Sequence, residues 1–180
     1  MHTLIVWASP NEDGLTAAAK NKVIEGINST GGKVKEIHLN KYKINSCLAC
    51  DDGYGLCRSE GRCIIEDDDF AEIYKSFVSA EKIVIVTPVY WHDITENLKC
   101  LLDRMRRSET KHNHFLKGKK CLIIACAGGS GRGAIRCLYN LEYILNHMEI
   151  EIVERLPVIQ FNRKYMLLAL IEAGKAFYKA

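Results

Sequence analysis

Nowhere is this chain continuously apolar for the ~20 residues that a membrane-spanning helix requires, so no membrane span is expected. Its N-terminus, Met1-His2-Thr3, lacks the charged and then apolar regions of a secretory signal, and a cytoplasmic protein is the expectation. Lysine and arginine are scattered among aspartate and glutamate without a long block, and the net charge is only +3. Nucleic acid is therefore not an implied partner, whereas mild basicity is compatible with phosphorylated, anionic cofactors. There is no internal repeat and no low-complexity segment. What remains is an ordinary soluble composition, 48% hydrophobic and 26% charged over 180 residues, which is the length of one domain with one core.

Eight cysteines are many for a chain expected in a reducing compartment, where disulfides do not persist. Four of them, Cys47, Cys50, Cys57 and Cys63, lie within 17 residues as Cys-x2-Cys-x6-Cys-x5-Cys. Cys100, Cys121, Cys126 and Cys137 sit inside apolar patterns and are read as small core hydrophobes.

The apolar pattern alternates between strand and helix. Leu4 to Ala8 is a short apolar run of the kind a strand buried on both faces shows, and Leu15, Ala18, Ala19, Val23 and Ile27 follow at helical spacing until Gly31-Gly32. Lys33 to Leu39 reads as an edge strand. Asn40 to Glu66 has no period, holds the cysteine cluster and is far longer than an ordinary connection. Asp67-Asp68-Asp69 is read as a helix cap, ahead of Phe70, Ile73, Tyr74, Phe77 and Val78. Ile83 to Thr87 and Lys120 to Ala127 are buried strands, each followed by an amphipathic helix. Glu149 to Val153 reads as a second edge strand, and a last helix begins near Lys164.

Five strands alternating with five helices predict a single α/β domain with a doubly wound parallel sheet covered on both faces. In such sheets ligands bind beyond the carboxyl ends of the strands where strand order reverses. Three loops carry suitable residues there. The first, Ser9-Pro10-Asn11-Glu12-Asp13-Gly14-Leu15-Thr16, joins a strand to a helix N-terminus, where backbone N–H groups and the helix dipole favour an anion. Pro10 is rigid, Gly14 can take a positive φ, and Ser9, Asn11 and Thr16 can donate. The alternative is an ordinary turn in which Asn11, Asp13 or Thr16 caps the helix. The second loop is Pro88-Val89-Tyr90-Trp91-His92-Asp93, for which an aromatic core pair is the alternative. The third is Ala127-Gly128-Gly129-Ser130-Gly131-Arg132-Gly133. Gly129-x-Gly131-x-x-Ala134 also fits a dinucleotide fingerprint with Glu154 as its acidic residue, but too little chain follows for a nucleotide-binding half, and the match is read as accidental.

Taken together, Ser9-Pro10 with Gly14-Leu15-Thr16, Thr87-Pro88-Val89-Tyr90-Trp91 with Leu98-Lys99 and Asp103-Arg104 downstream, and Ala127-Gly128-Gly129 resemble the three loops of the NADPH-dependent FMN reductase and iron-sulfur flavoprotein families. One departure is Ala8, where those families often have glycine. The resemblance implies a flavodoxin-like fold, strand order 2-1-3-4-5. It also implies FMN with its phosphate on Ser9, Asn11, Gly14 and Thr16, and its ring between Pro88, Val89, Tyr90, Trp91 and Ala127, Gly128, Gly129, Gly131. NAD(P)H would be the electron donor. Iron-sulfur flavoproteins carry a compact cysteine set at this position as ligands of a [4Fe-4S] cluster, which would make Cys47, Cys50, Cys57 and Cys63 metal ligands in an insertion loop at about 45–66. Here the middle spacing is six residues rather than two. Structural zinc and reduced thiols are the alternatives.

The expected function is an FMN-dependent oxidoreductase passing electrons from NAD(P)H to a quinone, flavin, iron-sulfur or other acceptor, with no side-chain acid or base. A non-catalytic electron carrier reduced by a ferredoxin-like partner is the alternative, and a zinc-stabilised binding module a third. A homodimer or homotetramer is expected from the same resemblance.

Overall fold

The computed structural model describes residues 2–111 and 114–180; Met1 of the signal argument lies outside them. Five parallel strands, β1 (Thr3–Trp7), β2 (Val34–His38), β3 (Lys82–Pro88), β4 (Lys120–Ala127) and β5 (Glu151–Ile159), form one sheet in the order β2-β1-β3-β4-β5. This is the flavodoxin-like order. The three central strands are buried on both faces, which is why they read as unbroken apolar runs rather than alternating ones.

One core lies under α1 (Leu15–Ser29) and α7 (Arg163–Lys179), and includes Ile5, Val23, Ile27, Val84, Ile124, Leu170 and Phe177. The other lies under α4 (Phe70–Ser79), α5 (Glu96–Lys111) and α6 (Ala134–Asn146), and includes Leu4, Phe77, Ile85, Leu98, Leu101, Ile123 and Leu141. Helices thus cover both faces. No helix among the described residues is long and apolar enough to cross a membrane.

On the first face α1 and α7 cross backbone to backbone. A Cβ added at Gly26 would stand 2.1 Å from the Ile171 carbonyl oxygen, and one at Gly174 would stand 2.4 Å from the Val23 carbonyl oxygen. Below the sheet, Lys82 Nζ donates to the Phe177 and Tyr178 carbonyls at 3.0 and 2.8 Å and so satisfies the end of α7. Burial and the nearby Lys120 lower the Lys82 pKa.

Two boundaries differ from the sequence reading. β5 begins at Glu151 and runs nine residues to Ile159, well past Val153. Glu149, with φ of 55°, belongs to the preceding turn. Pro157 interrupts the apolar alternation, yet an edge strand tolerates it because one of its sides needs no ladder donor. The cysteine segment is not featureless either. It contains two four-residue helical turns, α2 (Cys50–Gly53) and α3 (Leu56–Ser59).

Candidate functional site

The first loop leaves β1 at its carboxyl end and enters α1 without a cap. No side chain bonds the helix N-terminus, and no acidic residue lies in its first turn. Since the first helical bond runs from Ala18 N–H to the Gly14 carbonyl, the N–H groups of Leu15, Thr16 and Ala17 have no helical acceptors. The capping alternative is therefore set aside. The side chains shape the turn instead: the Ser9 hydroxyl bonds the Asn11 backbone at 3.2 Å, and Asn11 Oδ1 accepts from Asp13 N–H at 3.2 Å. Gly14 is not the positive-φ residue expected, since its φ is −82°. What it provides is room, because a Cβ there would press on Asn11 Nδ2 at 3.0 Å.

A residue overlooked in the sequence anchors this turn. His38 Nε2 lies 2.7 Å from the Ser9 carbonyl oxygen, and since a carbonyl only accepts, Nε2 carries the proton. The ring stacks on Trp7 with centroids 3.7 Å apart. One of the two loop carboxylates, Glu12, is drawn aside by Lys41 at 2.9 Å, with the His38 ring 3.8 Å away. The Lys41 hydrogen bond and charge hold the Glu12 pKa below the usual range. The helix end itself keeps its free N–H groups and positive dipole.

Second and third loops are fastened to each other. Val89 N–H donates to the Cys126 carbonyl at 2.9 Å, and Gly133 lies against Val89 and His92, where a Cβ would meet their atoms at 2.9 and 3.0 Å. Tyr90 and Asp93 exchange two backbone bonds of 2.9 Å around Trp91 and His92, both at positive φ. This tight turn holds Trp91 98% exposed and leaves Tyr90 exposed as well, so the pair is not core. Gly128 and Gly129 face open space, with no heavy atom within 4 Å of an added Cβ. The fingerprint reading of this loop fails on distance: Glu154 pairs in register with Leu122, five residues below Ala127, and its carboxylate bonds Arg155 N–H.

An uncapped helix end, an exposed aromatic turn and an open glycine ledge at the carboxyl ends of the neighbouring strands β1, β3 and β4 have the chemistry a flat, phosphorylated cofactor needs.

Cys47, Cys50, Cys57 and Cys63 come together as well. All four line one pocket, together with Ile64, Ile65, Arg104 and Arg107. They are half-buried free thiols, and among the described residues no three Cys, His, Asp or Glu side chains are grouped tightly enough to grip a metal ion. The donor set, four thiols and two guanidiniums around one apolar space, fits a larger anionic centre with four thiolate ligands.

The stems of this loop are clamped by a pair the sequence did not disclose. Arg104 is buried, pairs with Asp68, and donates to the carbonyls of Asn45 and Ile65 at 3.2 and 3.3 Å. Asp68 also accepts from Asn45 N–H at 2.8 Å and from Phe70 N–H at 3.2 Å. Asp68 is thus a clamp residue first and only incidentally at a helix start. Burial works against the Arg104 charge, and Asp68 and the Cys63 thiol more than offset it, holding its pKa above the arginine value.

Cys100 is not a core residue as expected. It is half-buried, and its Sγ lies 3.4 Å from Ser46 Oγ beneath the loop. The other three are core: burial pushes the Cys126 and Cys137 thiols up to about 12 and raises that of Cys121 too. Because the thiolate is the reactive form, iodoacetamide at pH 8 is expected to label the loop cysteines of the reduced, metal-free protein and to spare these three until it unfolds. Peptide mass spectrometry reads this, and rapid labelling of any of the three in the folded protein would contradict it.

The family model described as NADPH-dependent FMN reductase matches residues 1–162. An iron-sulfur flavoprotein of Methanocaldococcus jannaschii is 34% identical over 146 residues, covering 79% of this chain and 71% of that protein. One from Archaeoglobus fulgidus is 26% identical over 132 residues, covering 73% of this chain but only 57% of the relative. Among solved structures, an NAD(P)H:quinone oxidoreductase from Methanothermobacter marburgensis superposes with a TM-score of 0.76 at 18% identity, over 97% of this chain and 94% of the other. A flavodoxin from the domain Archaea gives 0.67 at 14% identity, over 99% and 97%. At such identities these two speak for the fold alone.

Proposed function

The chain belongs to the NADPH-dependent FMN reductase family, and from that premise we propose that it is an FMN-dependent oxidoreductase that takes electrons from NAD(P)H and passes them to a quinone, a flavin or an iron-sulfur acceptor. The observation that carries this reading is the uncapped N-terminus of α1, whose loop residue Pro10 lines one pocket with Tyr90 of the second loop. When bound, FMN supplies the hydride-accepting and electron-releasing chemistry. The chain's own part is binding and electrostatics. Ser9 and Asn11 hold the turn that aims the N–H groups around Gly14 and Thr16 at the phosphate. Pro88, Val89, Tyr90 and Trp91 would flank the ring on one side, and Ala127, Gly128, Gly129 and Gly131 on the other. Backbone N–H groups there stabilise negative charge on the ring system, and the exposed aromatic faces exclude water from it.

Titrating FMN into the flavin-free protein is expected to quench flavin fluorescence, and NADH or NADPH added anaerobically to bleach the bound flavin. No binding would overturn the three-loop site, and no bleaching by either nucleotide the reductase activity.

A second reading is favoured by the four cysteines around one pocket and by the iron-sulfur flavoprotein relatives. The cysteines would hold a [4Fe-4S] cluster, and the protein would be an electron carrier reduced by a ferredoxin-like partner. Flavin bleached quickly by reduced ferredoxin and slowly by nicotinamides separates it from the first. Either reading goes with a homodimer or homotetramer in the cytoplasm, for which the exposed stripe Ile135, Tyr139 and Tyr143 on α6 offers a contact face.

A further inference from the structure

The face of α5 turned toward the cysteine loop presents Cys100, Arg104 and Arg107, spaced four and three residues apart. Each touches a different part of the loop. Cys100 meets Ser46, Arg104 ties together the two stems, and Arg107 Nη1 donates to the Gly53 carbonyl at 2.8 Å. That last bond holds a turn of unusual backbone, in which Ala49, Asp51, Asp52 and Gly53 all have positive φ. The turn sits directly on the guanidinium, since a Cβ at Gly53 would lie 3.0 Å from Arg107 Nη1.

The two arginines line the same pocket as the four cysteines but differ in charge balance. Asp68 neutralises Arg104. Arg107 is bonded to a carbonyl, and among the described residues no carboxylate forms an ion pair with it. It is the uncompensated cation on the pocket wall.

We propose that Arg107 sets the reduction potential of a four-thiolate iron-sulfur centre on Cys47, Cys50, Cys57 and Cys63, while Arg104 is the positioning residue that closes the loop beneath it. This rests on the cysteines holding such a centre. Adding one electron to it makes it more negative by one charge, with no bond formed or broken and no proton taken up. A fixed cation at the wall favours that reduced form, and since Arg107 is half-buried, added salt screens part of the effect. Arginine stays charged at every working pH, so the contribution is independent of pH.

The test uses the holoprotein isolated anaerobically, with iron and sulfide assayed, and with dithionite and mediators titrated while the paramagnetic signal of the reduced centre is followed. Arg107→Gln keeps an N–H donor for the Gly53 carbonyl and removes the charge, and Arg107→Lys keeps the charge. With about four irons per chain retained, Arg107→Gln is expected to lower the reduced-to-oxidised ratio at the wild-type midpoint about tenfold, or about 59 mV for a one-electron couple, equally at pH 6.5 and 8.5. Arg107→Lys should stay near wild type. A midpoint unchanged in Arg107→Gln, or a shift that appears equally in Arg107→Lys, would overturn the proposal. If Arg107→Gln loses iron, the titration is repeated on wild type with 1 M salt against low salt. A midpoint that falls at high salt supports a charge at the wall, and an unmoved one overturns it. Wild-type protein without iron would remove the reading on which the proposal rests, and the proposal with it.

Discussion

Gly26→Ala is expected to cost about 3 kcal/mol, despite the gain of about 1 kcal/mol that alanine ordinarily brings to a helix interior. The new methyl would stand 2.1 Å from the Ile171 carbonyl oxygen and 3.0 Å from its carbon, and backbone cannot swing aside as a side chain can. α1 and α7 must separate, which loosens Val23, Ile27, Leu170 and Phe177 together. Gly174→Ala meets the Val23 carbonyl oxygen from the other helix at 2.4 Å. Once the helices have been forced apart by one methyl, the second has less to displace, so the double variant should cost less than the sum of the two. Urea midpoints of the three variants provide the check. A rise in midpoint for Gly26→Ala would mean that helix propensity outweighs the crossing.

Removing Asp68 is expected to cost about 3–5 kcal/mol at pH 7, because it strands the Arg104 charge in a site that is 2% exposed. Burial alone would raise the Asp68 pKa, yet the Arg104 hydrogen bond and the N–H groups of Asn45 and Phe70 bring it below the ordinary aspartate value. A carboxyl whose folded pKa is depressed stabilises the fold above its unfolded pKa, near 3.9, and loses that contribution as pH falls through the lower folded value. Asp68→Asn should therefore be weaker than wild type at pH 7, and the gap should narrow below about pH 4. Because Asp68 and Arg104 together grip Asn45 and Ile65, Asp68→Asn should also open the 46–64 segment to limited proteolysis at neutral pH. An Asp68→Asn protein with the wild-type pH profile would show that the pair contributes nothing.

The sheet was legible in the sequence because its central strands are buried on both faces. Ile83 to Thr87 and Lys120 to Ala127 contain no polar alternation to mislead, and the three chemistry-bearing loops follow from where such strands end. β5 was harder, since Glu154, Arg155 and Pro157 break its pattern while one side of it faces outward. The clamp could not be read. Leu98, Leu101, Leu102 and Met105 mark the core side of α5, and helical spacing assigns Arg104 and Arg107 to solvent, while Cys100 was read as core. The cysteine loop folds back over that second side, burying Arg104 and half-burying Cys100 and Arg107. Charge pairs 36 residues apart leave no periodic trace, and Asp68 within a triple Asp looks like an N-terminal cap. His38 escaped notice because a histidine ending an edge strand is ordinary until its ring is seen against Trp7 and the Ser9 carbonyl. Gly14 lies at the turn into α1, but the positive φ expected of it is absent, and what it provides is room beside Asn11.

Gly133 is wedged against Val89 and His92, and Val89 is bonded to Cys126, so the two loops that would flank the cofactor ring move as one part. An engineer seeking a new acceptor would find that libraries varying Tyr90 to Asp93 alone, or Gly129 to Gly133 alone, select mostly for repair of the mismatch at this joint. Varying both segments in the same library, with Gly133 kept constant, leaves the joint whole and directs selection to the pocket they share.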